Sequence, residues 1–341
     1  MVSTITIEEA FQLAWPIIDV RSPGEFDKGH VPKAINIPLF NNDERAHVGT
    51  VYKQQSREAA IKVGYVYVNP KLDNFIQNAQ KVAPDGKVIV HCWRGGMRSQ
   101  SFAQHLSDNG FADVKVVSGG YKAYRNHLLD SFAQAFKLRI LGGFTGSGKT
   151  ILLKHLKERG HQVIDLEGIA HHKGSSFGAI GQEPQPTVEQ FENNLFDEWM
   201  KLDLQQVIWL EDESHNIGGV KIPMPLYLQM REALLYFIDI PREERATFLV
   251  EDYTNCDNQL LIDSILRITK RLGGLNVTRS IEQVKLKNYY EAALITLSYY
   301  DKSYLKGLRT RNPEKVVTVA LPNTNAYLNA LEIEKINKIY A

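Results

Sequence analysis

The segment that most constrains the fold is GFTGSGKT, residues 143–150, a glycine-rich run that matches G-x-x-x-x-G-K-[ST]. In such a loop, backbone N–H groups and the amino end of a helix face phosphate oxygens, and the lysine adds a positive charge. The apolar run KLRILGG precedes it and the helical pattern ILLKHLKERG follows it, which predicts the strand–loop–helix unit of an α/β fold. The alternative is a glycine-rich turn that binds no ligand.

This loop predicts a phosphate or diphosphate ligand and does not specify a nucleotide. The candidate diphosphate-binding residues are Gly143, Gly146, Ser147, Gly148, Lys149, Thr150 and Asp212. Thr150 would hold Mg²⁺, and Asp212 in the run VIWLEDES would hold the metal through water, as in a Walker B strand. Glu211 and Glu213 are alternatives to Asp212, and three acids at the end of a strand are also typical of a solvated loop.

A second glycine-rich loop, HCWRGGMRS at residues 91–99, contains a cysteine and a closing arginine. Cys92, Arg94 and Arg98 are the candidate catalytic residues, because arginines and loop amides lower the pKa of a thiol and stabilise an anion above it. A cysteine phosphatase would use the thiolate to attack a phosphoester. A rhodanese-type sulfurtransferase would use it to carry sulfur or selenium as a persulfide-like adduct. The C-x5-R spacing is typical of phosphatases, so the loop by itself leaves both chemistries open.

The pattern of apolar runs predicts two α/β domains, 1–136 and 137–341, with a boundary near Phe136. PIIDV, KVIV and DVKVV read as strands, and RSQSFAQHLSDNGF between the last two reads as a helix. After the phosphate loop we expect a strand in HQVIDLEG, a helix around residues 187–204 and a strand in QVIWLED. From about Pro225 onward, helical patterns dominate.

Composition narrows the classes of function. With 341 residues, 43% of them hydrophobic, the chain can bury a large core. Its two cysteines match neither a disulfide framework nor a metal-ligand spacing, and no apolar run is long enough to span a bilayer, so we expect a cytoplasmic protein without a membrane partner. The net charge is only +1, but residues 267–315 contain eleven basic and four acidic side chains. That segment is either a nucleic-acid contact or a solvated helical face.

The amino-terminal half resembles the rhodanese superfamily. The resemblance rests on IIDVRSPGEFDKGHVPKAINIPL, with its D-V-R turn and G-H-V-x-x-A-x-N-I-P stretch, and on GGY in VSGGYKAYR. Some dual-specificity phosphatases share that fold and the longer cysteine loop, so the fold does not decide the chemistry. Asp19 and Arg21 read as a structural ion pair rather than a catalytic one.

Nearly the whole chain resembles one family, the tRNA 2-selenouridine synthases. The phrases that carry the resemblance are NNDERAHVGTVYKQQ, GGYKAYR, GGFTGSGKT, DLEGIAHHKGSSFG, LEDESHNIG and RITKRLGG. The resemblance implies a rhodanese-like parallel-sheet domain followed by a P-loop NTPase-like α/β domain with a helical carboxy-terminal region. Trp93 and Phe144 are bulkier than we expect at their loop positions.

The activity implied by this resemblance is a two-step change at the wobble uridine, position 34, of tRNAs for Lys, Glu and Gln. Geranyl diphosphate first alkylates the sulfur of a 5-substituted 2-thiouridine, and selenophosphate then replaces the geranylthio group with selenium. Both compounds are co-substrates, with Mg²⁺ as a further candidate. The P-loop would hold the diphosphate, and the Cys92 loop would handle selenium.

The same resemblance suggests residues that contact the anticodon arm. The candidates are His171, His172, Lys173, Phe177, Arg267, Lys270 and Arg271. The run NNDERAHVG would cover the cysteine loop, and a transient contact with an enzyme that produces selenophosphate is expected. Three other readings remain: a phosphatase acting through Cys92, a P-loop kinase or NTPase fused to a sulfur carrier, and a tRNA-binding protein without catalysis.

Overall fold

A computed structural model describes residues 2–253 and 256–340, and the chain divides into two compact units, Met1–Ser131 and Phe132–Ala341. Within the described residues, no helix is both long enough and apolar enough to cross a membrane. Each unit is built on its own parallel sheet. The α/β class expected from the sequence is therefore confirmed.

The first unit has its strands and helices in alternation. Its described strands are β1 (Val2–Ile5), β2 (Ile17–Asp19), β3 (Ile35–Asn36), β4 (Lys87–His91) and β5 (Asp113–Val117). Its described helices are α1 (Ile7–Leu13), α2 (Pro23–Lys28), α3 (Asn42–Gln54), α4 (Arg57–Val68), α5 (Leu72–Val82), α6 (Met97–Asp108) and α7 (Gly120–Ser131). The strands pair in parallel in the order β1–β5–β4–β2–β3, so the three strands predicted from apolar runs are confirmed.

Strand β4 lies at the centre of this sheet because its side chains are apolar on both faces. Val88, Ile89 and Val90 are fully buried. A strand of a parallel sheet is covered by helices on both sides, which is why it reads as a continuous apolar run rather than an alternating one. Phe102 and Leu106 of α6 pack in the same core. The helix that follows β4 is thereby fixed against the sheet, and the cysteine loop lies between them.

Asp19 and Arg21 form a buried ion pair at the carboxyl end of β2. Arg21 donates from Nη2 to Asp19 Oδ2 at 2.6 Å and from the same nitrogen to the carbonyl of Gly29 at 2.8 Å. Its guanidinium carbon lies 3.8 Å from the ring centroid of Tyr121. Burial opposes the charge on Asp19, but His91 and Arg21 outweigh it and hold the pKa of the carboxyl below its usual value. The pair is structural, as the sequence predicts.

The second unit surrounds the phosphate loop. Its described strands are β6 (Leu138–Gly143), β7 (Gln162–Val163), β8 (Ile208–Glu211), β9 (Asn216–Ile217), β10 (Val220–Lys221), β11 (Leu234–Asp239) and β12 (Val316–Ala320). Its described helices are α8 (Lys149–Glu158), α9 (Leu166–Ala170), α10 (Val188–Trp199), α11 (Met224–Glu232), α12 (Arg242–Tyr253), α13 (Asn258–Arg267), α14 (Thr269–Leu272), α15 (Gly274–Lys285), α16 (Tyr289–Leu308) and α17 (Ala326–Asn337). Five strands pair in parallel in the order β12–β11–β6–β8–β7, and β9 and β10 form a small antiparallel pair.

Two strands interrupt the region that we expected to be mainly helical. The segment LLYFID forms β11 and pairs with both β6 and β12. A short apolar run that directly follows a helical pattern cannot be told from a buried helical turn by periodicity. The strand expected in HQVIDLEG is also shorter than predicted, since the Asp165 side chain accepts the N–H of Gly168 and begins α9. The carboxy-terminal region is therefore helical around two additional strands.

The helices after β11 form a separate apolar cluster. Its buried members are Ile180, Leu261, Ile265, Ile268, Leu272, Val277, Val284, Ala292 and Tyr300. They come from α13, α14, α15 and α16 and from the segment before α10. This cluster gives the helical region a core of its own, next to the core that packs on the sheet.

We expect Asp19→Asn to lower the free energy of unfolding of the first unit by about 3 kcal/mol at pH 7, because it leaves the buried Arg21 charge without an opposite charge. The pKa of Asp19 is lowered on folding, so its stabilisation is present above the ordinary pKa of 3.8 and is lost as the pH falls below that value. The difference in free energy of unfolding between wild type and variant should therefore become smaller at acid pH. Hydrogen exchange of the β2 and β4 amides in the full chain measures it.

The matched control is Asp113→Asn on β5. Asp113 is bonded to Lys115 at 3.0 Å, with side chains that are 32% and 21% exposed. A partly exposed pair of this kind contributes less than about 1 kcal/mol. Equal loss of protection in the two variants would contradict a structural role specific to the buried pair.

Candidate functional site

The phosphate loop has the strand–loop–helix context that its sequence predicts. Strand β6 ends at Gly143 and helix α8 begins at Lys149. Gly148 has φ +70° and Gly146 has φ +79°, the left-handed region that favours glycine. A Cβ atom at Gly146 would lie 2.9 Å from the carbonyl oxygen of Arg245. Glycine at this position therefore permits both the turn and its close contact with α12.

A buried arginine supports the loop from α12. Arg245 is 3% exposed and donates from Nη1 to the carbonyl of Thr145 at 3.1 Å. It also forms a bidentate pair with Asp301 of α16, at 2.9 and 3.0 Å. Within the loop, Ser147 Oγ donates to the carbonyl of Phe144 at 2.7 Å. The loop conformation is thus fixed by two helices that are distant from it in sequence.

Lys149 is buried beside an aromatic ring and three carboxylates. Its Nζ lies 3.3 Å from the carbonyl of Gly143 and 5.6 Å from the ring centroid of Tyr304. Burial opposes the charge on Lys149. The Tyr304 hydroxyl and the nearby carboxylates, chiefly those of Glu167 and Glu213, outweigh it and raise the pKa. The lysine is therefore a fixed positive charge at the loop.

The two residues proposed for Mg²⁺ each have another bonding partner in this structure. Thr150 Oγ1 donates to Glu167 at 2.9 Å, whereas Asp212 is bonded to Arg311 at 2.5 Å and lies 3.7 Å from Arg231. The described residues contain no group of three or more His, Cys, Asp or Glu side chains placed to hold a metal ion. In this structure Asp212 is bonded to buried Arg311. The Thr150–Asp212 metal site stays a prediction.

Two further acids at the end of β8 face the loop. Burial raises the pKa of Glu211 and of Glu213 well above the usual value, and the Glu167 carboxylate adds to the effect in both. Glu211 Oε2 accepts the N–H of Leu166 at 3.0 Å. These acids keep their protons more readily than exposed ones, which limits the negative charge next to Lys149.

The cysteine loop is closed by contacts with the GGY phrase. The N–H of Tyr121 donates to the carbonyl of Cys92 at 2.9 Å. Gly120 has φ +57°, and a Cβ atom there would lie 2.2 Å from that carbonyl. Gly95 has φ +65°, and its Cβ would lie 2.2 Å from the carbonyl of Val117. The two glycine-rich phrases of this unit therefore pack backbone against backbone.

The Cys92 thiol is buried and activated. It is 3% exposed, and its sulfur lies 3.2 Å from Ser99 Oγ. Burial opposes ionisation, but the Ser99 hydroxyl, the Arg98 charge and the N–H groups of Arg94 and Ser99 outweigh it and lower the pKa of the thiol. Arg94 thus acts on the thiol through its backbone, and its side chain is exposed. Ser99 was not identified from the sequence, although it is the last residue of the HCWRGGMRS segment.

A large cavity lies over the thiol. Its volume is about 1020 Å³, and Cys92, Trp93, Arg94 and Arg98 line it together with residues of α3, α4 and α6. Arg45, Val48, Gly49 and Tyr52 of α3 are among them, so the run NNDERAHVG does cover the loop as expected. The cavity combines apolar walls with several positive charges, which suits an anion attached to an aromatic or apolar group.

The glutamate nearest the cysteine loop is held as an anion. Glu25 accepts from Arg98 Nη1 at 3.1 Å, and Arg45 Nε lies 3.4 Å away. Burial opposes its charge, but Arg98, the Ser22 N–H and Arg45 outweigh it and lower the pKa of Glu25. This residue positions the loop arginine, and it also escaped sequence reasoning.

The segment after α9 is more buried than a base-stacking loop would be. His171 has φ +50° and its Nδ1 lies 3.0 Å from the carbonyl of Pro184. Burial lowers the pKa of His172, whose Nδ1 accepts the N–H of Gly174. Phe177 packs on the helical cluster, with its ring centroid 6.4 Å from that of Tyr300. Phe177 is therefore half-buried against the helical cluster, and Lys173, four residues earlier, is also half-buried.

Three residues of the basic segment that were predicted to contact the anticodon arm are exposed. Arg267, Lys270 and Arg271 are exposed at the end of α13 and in α14, and Arg271 donates to Tyr299 Oη at 3.1 Å. Arg311, counted in the same segment, is buried in the pair with Asp212 and does not contribute to a surface patch. The structure thus leaves a smaller patch than the charge count suggested.

Comparison with known proteins assigns both units. A family model described as tRNA 2-selenouridine synthase AAA domain matches residues 136–333, and one described as rhodanese-like domain matches residues 6–127. These matches follow the order that the sequence predicts.

Full-length relatives agree with the two models. A tRNA 2-selenouridine synthase of Shewanella woodyi is 36% identical over 92% of this chain and 93% of its own length. One of Bdellovibrio bacteriovorus is 34% identical over 93% of this chain and 94% of its own. One of Nitrosomonas europaea is 41% identical, over 70% of this chain and 63% of its own length. The chain belongs to the tRNA 2-selenouridine synthase family.

Proposed function

We propose that this protein converts 5-substituted 2-thiouridine to 2-selenouridine at wobble position 34 of tRNAs for Lys, Glu and Gln, in two steps. The proposal rests on one observation: this member of the family contains two loops suited to anions. One is a phosphate loop with a buried lysine, and the other is a loop with an activated thiol. The two loops suit the two anionic co-substrates, geranyl diphosphate and selenophosphate.

In the first step, the thiocarbonyl sulfur attacks C1 of geranyl diphosphate, an S–C bond forms and inorganic diphosphate leaves. Negative charge builds on the departing diphosphate. Lys149 and the amino end of α8 are fixed positive charges that stabilise it without rearrangement during the reaction. Thr150 supplies a further hydroxyl at the same helix end. This role of the loop needs no nucleotide.

In the second step, the selenium of selenophosphate attacks C2, a C2–Se bond forms, and the geranylthiolate leaves with the electrons of the C2–S bond. Water then cleaves the P–Se bond, which releases inorganic phosphate and leaves selenium on C2. Alkylation makes this step possible, since a thiolate is a far better leaving group than a thiocarbonyl sulfur. Cys92 and Arg98 would handle the selenium donor, and the cavity above them is large enough for the alkylated base. Selenophosphate would reach the site from the enzyme that produces it through a transient contact.

The phosphatase reading lacks support from the residues around Cys92. A phosphatase needs a protonated carboxyl that can donate to the leaving oxygen. Glu25 has its pKa lowered by arginines. Asp108 also lines the cavity, but it lies eleven residues after Met97 on α6, or about 16 Å along the helix axis from the loop. Selenium transfer makes no such demand on a neighbouring acid.

The exposed arginines and lysine at the end of α13 and in α14 are the proposed grip on the anticodon arm. Arg267, Lys270 and Arg271 form a local positive patch on a chain with little net charge. Such a patch binds the phosphate backbone mainly by releasing counterions. His171, His172 and Lys173 stay candidates for contact with the splayed wobble base.

Nucleoside analysis tests the order of the steps. Purified protein with 2-thiouridine tRNA, geranyl diphosphate and selenophosphate, in the absence of ATP, should yield 2-selenouridine. Cys92→Ser should accumulate S-geranyl-2-thiouridine, because only the selenium step needs the thiol. Lys149→Ala should leave 2-thiouridine, with at least about a hundredfold loss of rate. Digestion of the tRNA and mass spectrometry of the nucleosides measure all three outcomes.

Two variants at positions outside the two loops serve as controls in this assay. Cys256→Ser and Lys154→Ala change a second cysteine and an exposed lysine of α8, and both should react as wild type does. Unchanged 2-thiouridine with the wild type would refute the synthase proposal. Product that forms only with ATP would favour a kinase or NTPase.

The state of the thiol can be measured without turnover. In a Cys256→Ser background, the rate of iodoacetamide alkylation against pH should rise below the ordinary thiol pKa of 9.0, since the pKa of Cys92 is lowered. Ser99→Ala should move the midpoint up by between about half and one pH unit, because one hydrogen bond to the thiolate is lost. Ser101→Ala on the exposed side of α6 should not move it. A midpoint unaffected by Ser99→Ala would contradict the activation described for Cys92.

Salt dependence tests the basic patch. Replacing Arg267, Lys270 and Arg271 together with alanine should weaken tRNA binding and reduce the slope of log affinity against log salt by about 2. The control replaces two exposed lysines, Lys335 of α17 and Lys338 directly after it. Equal slopes for the two variants in a filter-binding titration would rule out this patch as the RNA contact.

A further inference from the structure

An apolar cavity opens directly beside the phosphate loop in the second unit. Its lining residues are Thr145, Ser175, Phe177, Leu249, Val250, Leu261, Ile265, Val284, Tyr289, Ala292, Ala293, Thr296, Leu297 and Tyr300. They come from the loop itself, the segment after α9, and helices α12, α13, α15 and α16. The cavity is narrow, with a volume of about 60 Å³ inside about 580 Å³ of atom-free space that includes its open mouth. The phosphate-binding role of the loop does not account for it.

Most polar side-chain atoms around this cavity are bonded within the protein; the exception at its loop end is Thr145 Oγ1, which is buried without a hydrogen-bond partner. Thr296 Oγ1 donates to the carbonyls of Ala292 and Ala293, so its hydroxyl is bonded within α16. Tyr289 Oη donates to Asn258 at 2.9 Å, and Tyr300 Oη accepts the N–H of Ser176 at 3.2 Å. The walls therefore offer hydrocarbon surface to a ligand and few groups that would bind water or a base edge.

The cavity begins at the phosphate loop. Thr145 lines it, and Leu249 packs on the loop so closely that a Cβ atom at Gly146 would lie 2.9 Å from its Cγ. Along α16, Tyr304 faces Lys149, and Tyr300, Thr296 and Ala293 follow at helical spacing on the cavity side. A ligand anchored at Lys149 can thus extend along this face of α16.

The far end lies where α15 turns into α16. Val284 is near the carboxyl end of α15 and Tyr289 begins α16, and both line the cavity. Seven residues separate Tyr300 from Ala293, which is about 10 Å of helix. That distance is comparable with the length of an extended ten-carbon isoprenoid. Such a chain is larger than the enclosed volume of about 60 Å³, so it would also occupy the open mouth of the cavity. A side chain larger than alanine at position 293 would shorten the space.

Resting on the proposed function, we infer that this cavity binds the hydrocarbon chain of the isoprenyl diphosphate, and that Ala293 and Val284 set the chain length accepted. The diphosphate lies at the loop and the chain lies between α12, α13, α15 and α16. The ligand class is a linear, short-chain prenyl diphosphate. Burial of the chain supplies affinity that the phosphate loop alone cannot, because each buried CH₂ contributes favourably.

The experiment measures dissociation constants of the full-length protein for four probes: inorganic diphosphate, dimethylallyl diphosphate, geranyl diphosphate and farnesyl diphosphate. Wild type should bind geranyl diphosphate at least about tenfold more tightly than inorganic diphosphate. Ala293→Phe should weaken geranyl diphosphate at least about tenfold while inorganic and dimethylallyl diphosphate change less than about twofold. Val284→Ala should raise the affinity for farnesyl diphosphate relative to geranyl diphosphate.

Ser303→Phe is the matched control, since it adds the same side chain to an exposed position of α16 and should leave all four affinities unchanged. The inference is overturned if Ala293→Phe and Val284→Ala both keep the wild-type ratios among the four probes. If Ala293→Phe also loses inorganic diphosphate, the variant has lost the loop itself and Val284→Ala alone decides. A wild type that binds geranyl diphosphate no better than inorganic diphosphate refutes the proposed function instead.

Discussion

A charge buried at the carboxyl end of a parallel sheet persists only where opposite charge surrounds it, and both units of this protein are arranged around such a charge. In the first unit, Arg21 is held by Asp19 and stacks on Tyr121, whose N–H in turn closes the cysteine loop. In the second, Lys149 is held chiefly by Glu167, next to Glu211 and Glu213, whose raised pKa values leave them with less charge. Compensation of buried charge thus fixes the position of each loop before any ligand binds.

The two loops share one backbone feature but use it for different functions. Both place glycines at positive φ so that amides and carbonyls of neighbouring turns can approach closely. The first loop directs its amides toward a thiolate, and the second presents a lysine and a helix end. The difference comes from single residues in each loop, Cys92 in one and Lys149 in the other. Function therefore depends on sites grafted onto two ordinary parallel-sheet architectures.

The features that could be predicted from the sequence are those that depend on residues close together in the chain. The strands PIIDV, KVIV and KLRILGG, the two loops and the helices after them each carry their own signal, and the structure confirms them. Side-chain contacts between residues that are distant in the chain have no such sequence signal. Asp212 follows a strand, which predicts a metal ligand, but its bond to Arg311, ninety-nine residues away, has no signal in the sequence. Phe177 stands in a polar loop, which predicts a stacking platform, but its contact with Tyr300 has no such signal either.

Helix α16 combines several of these partnerships on one rigid element. Asp301 secures the arginine that supports the phosphate loop, Tyr304 faces Lys149, and Tyr299 receives the bond from Arg271 in the basic patch. Residues that share one helix cannot be repositioned separately, so changes at such positions are not additive. Substitutions along α16 are therefore coupled: a change accepted at one of these residues restricts which changes the others can accept.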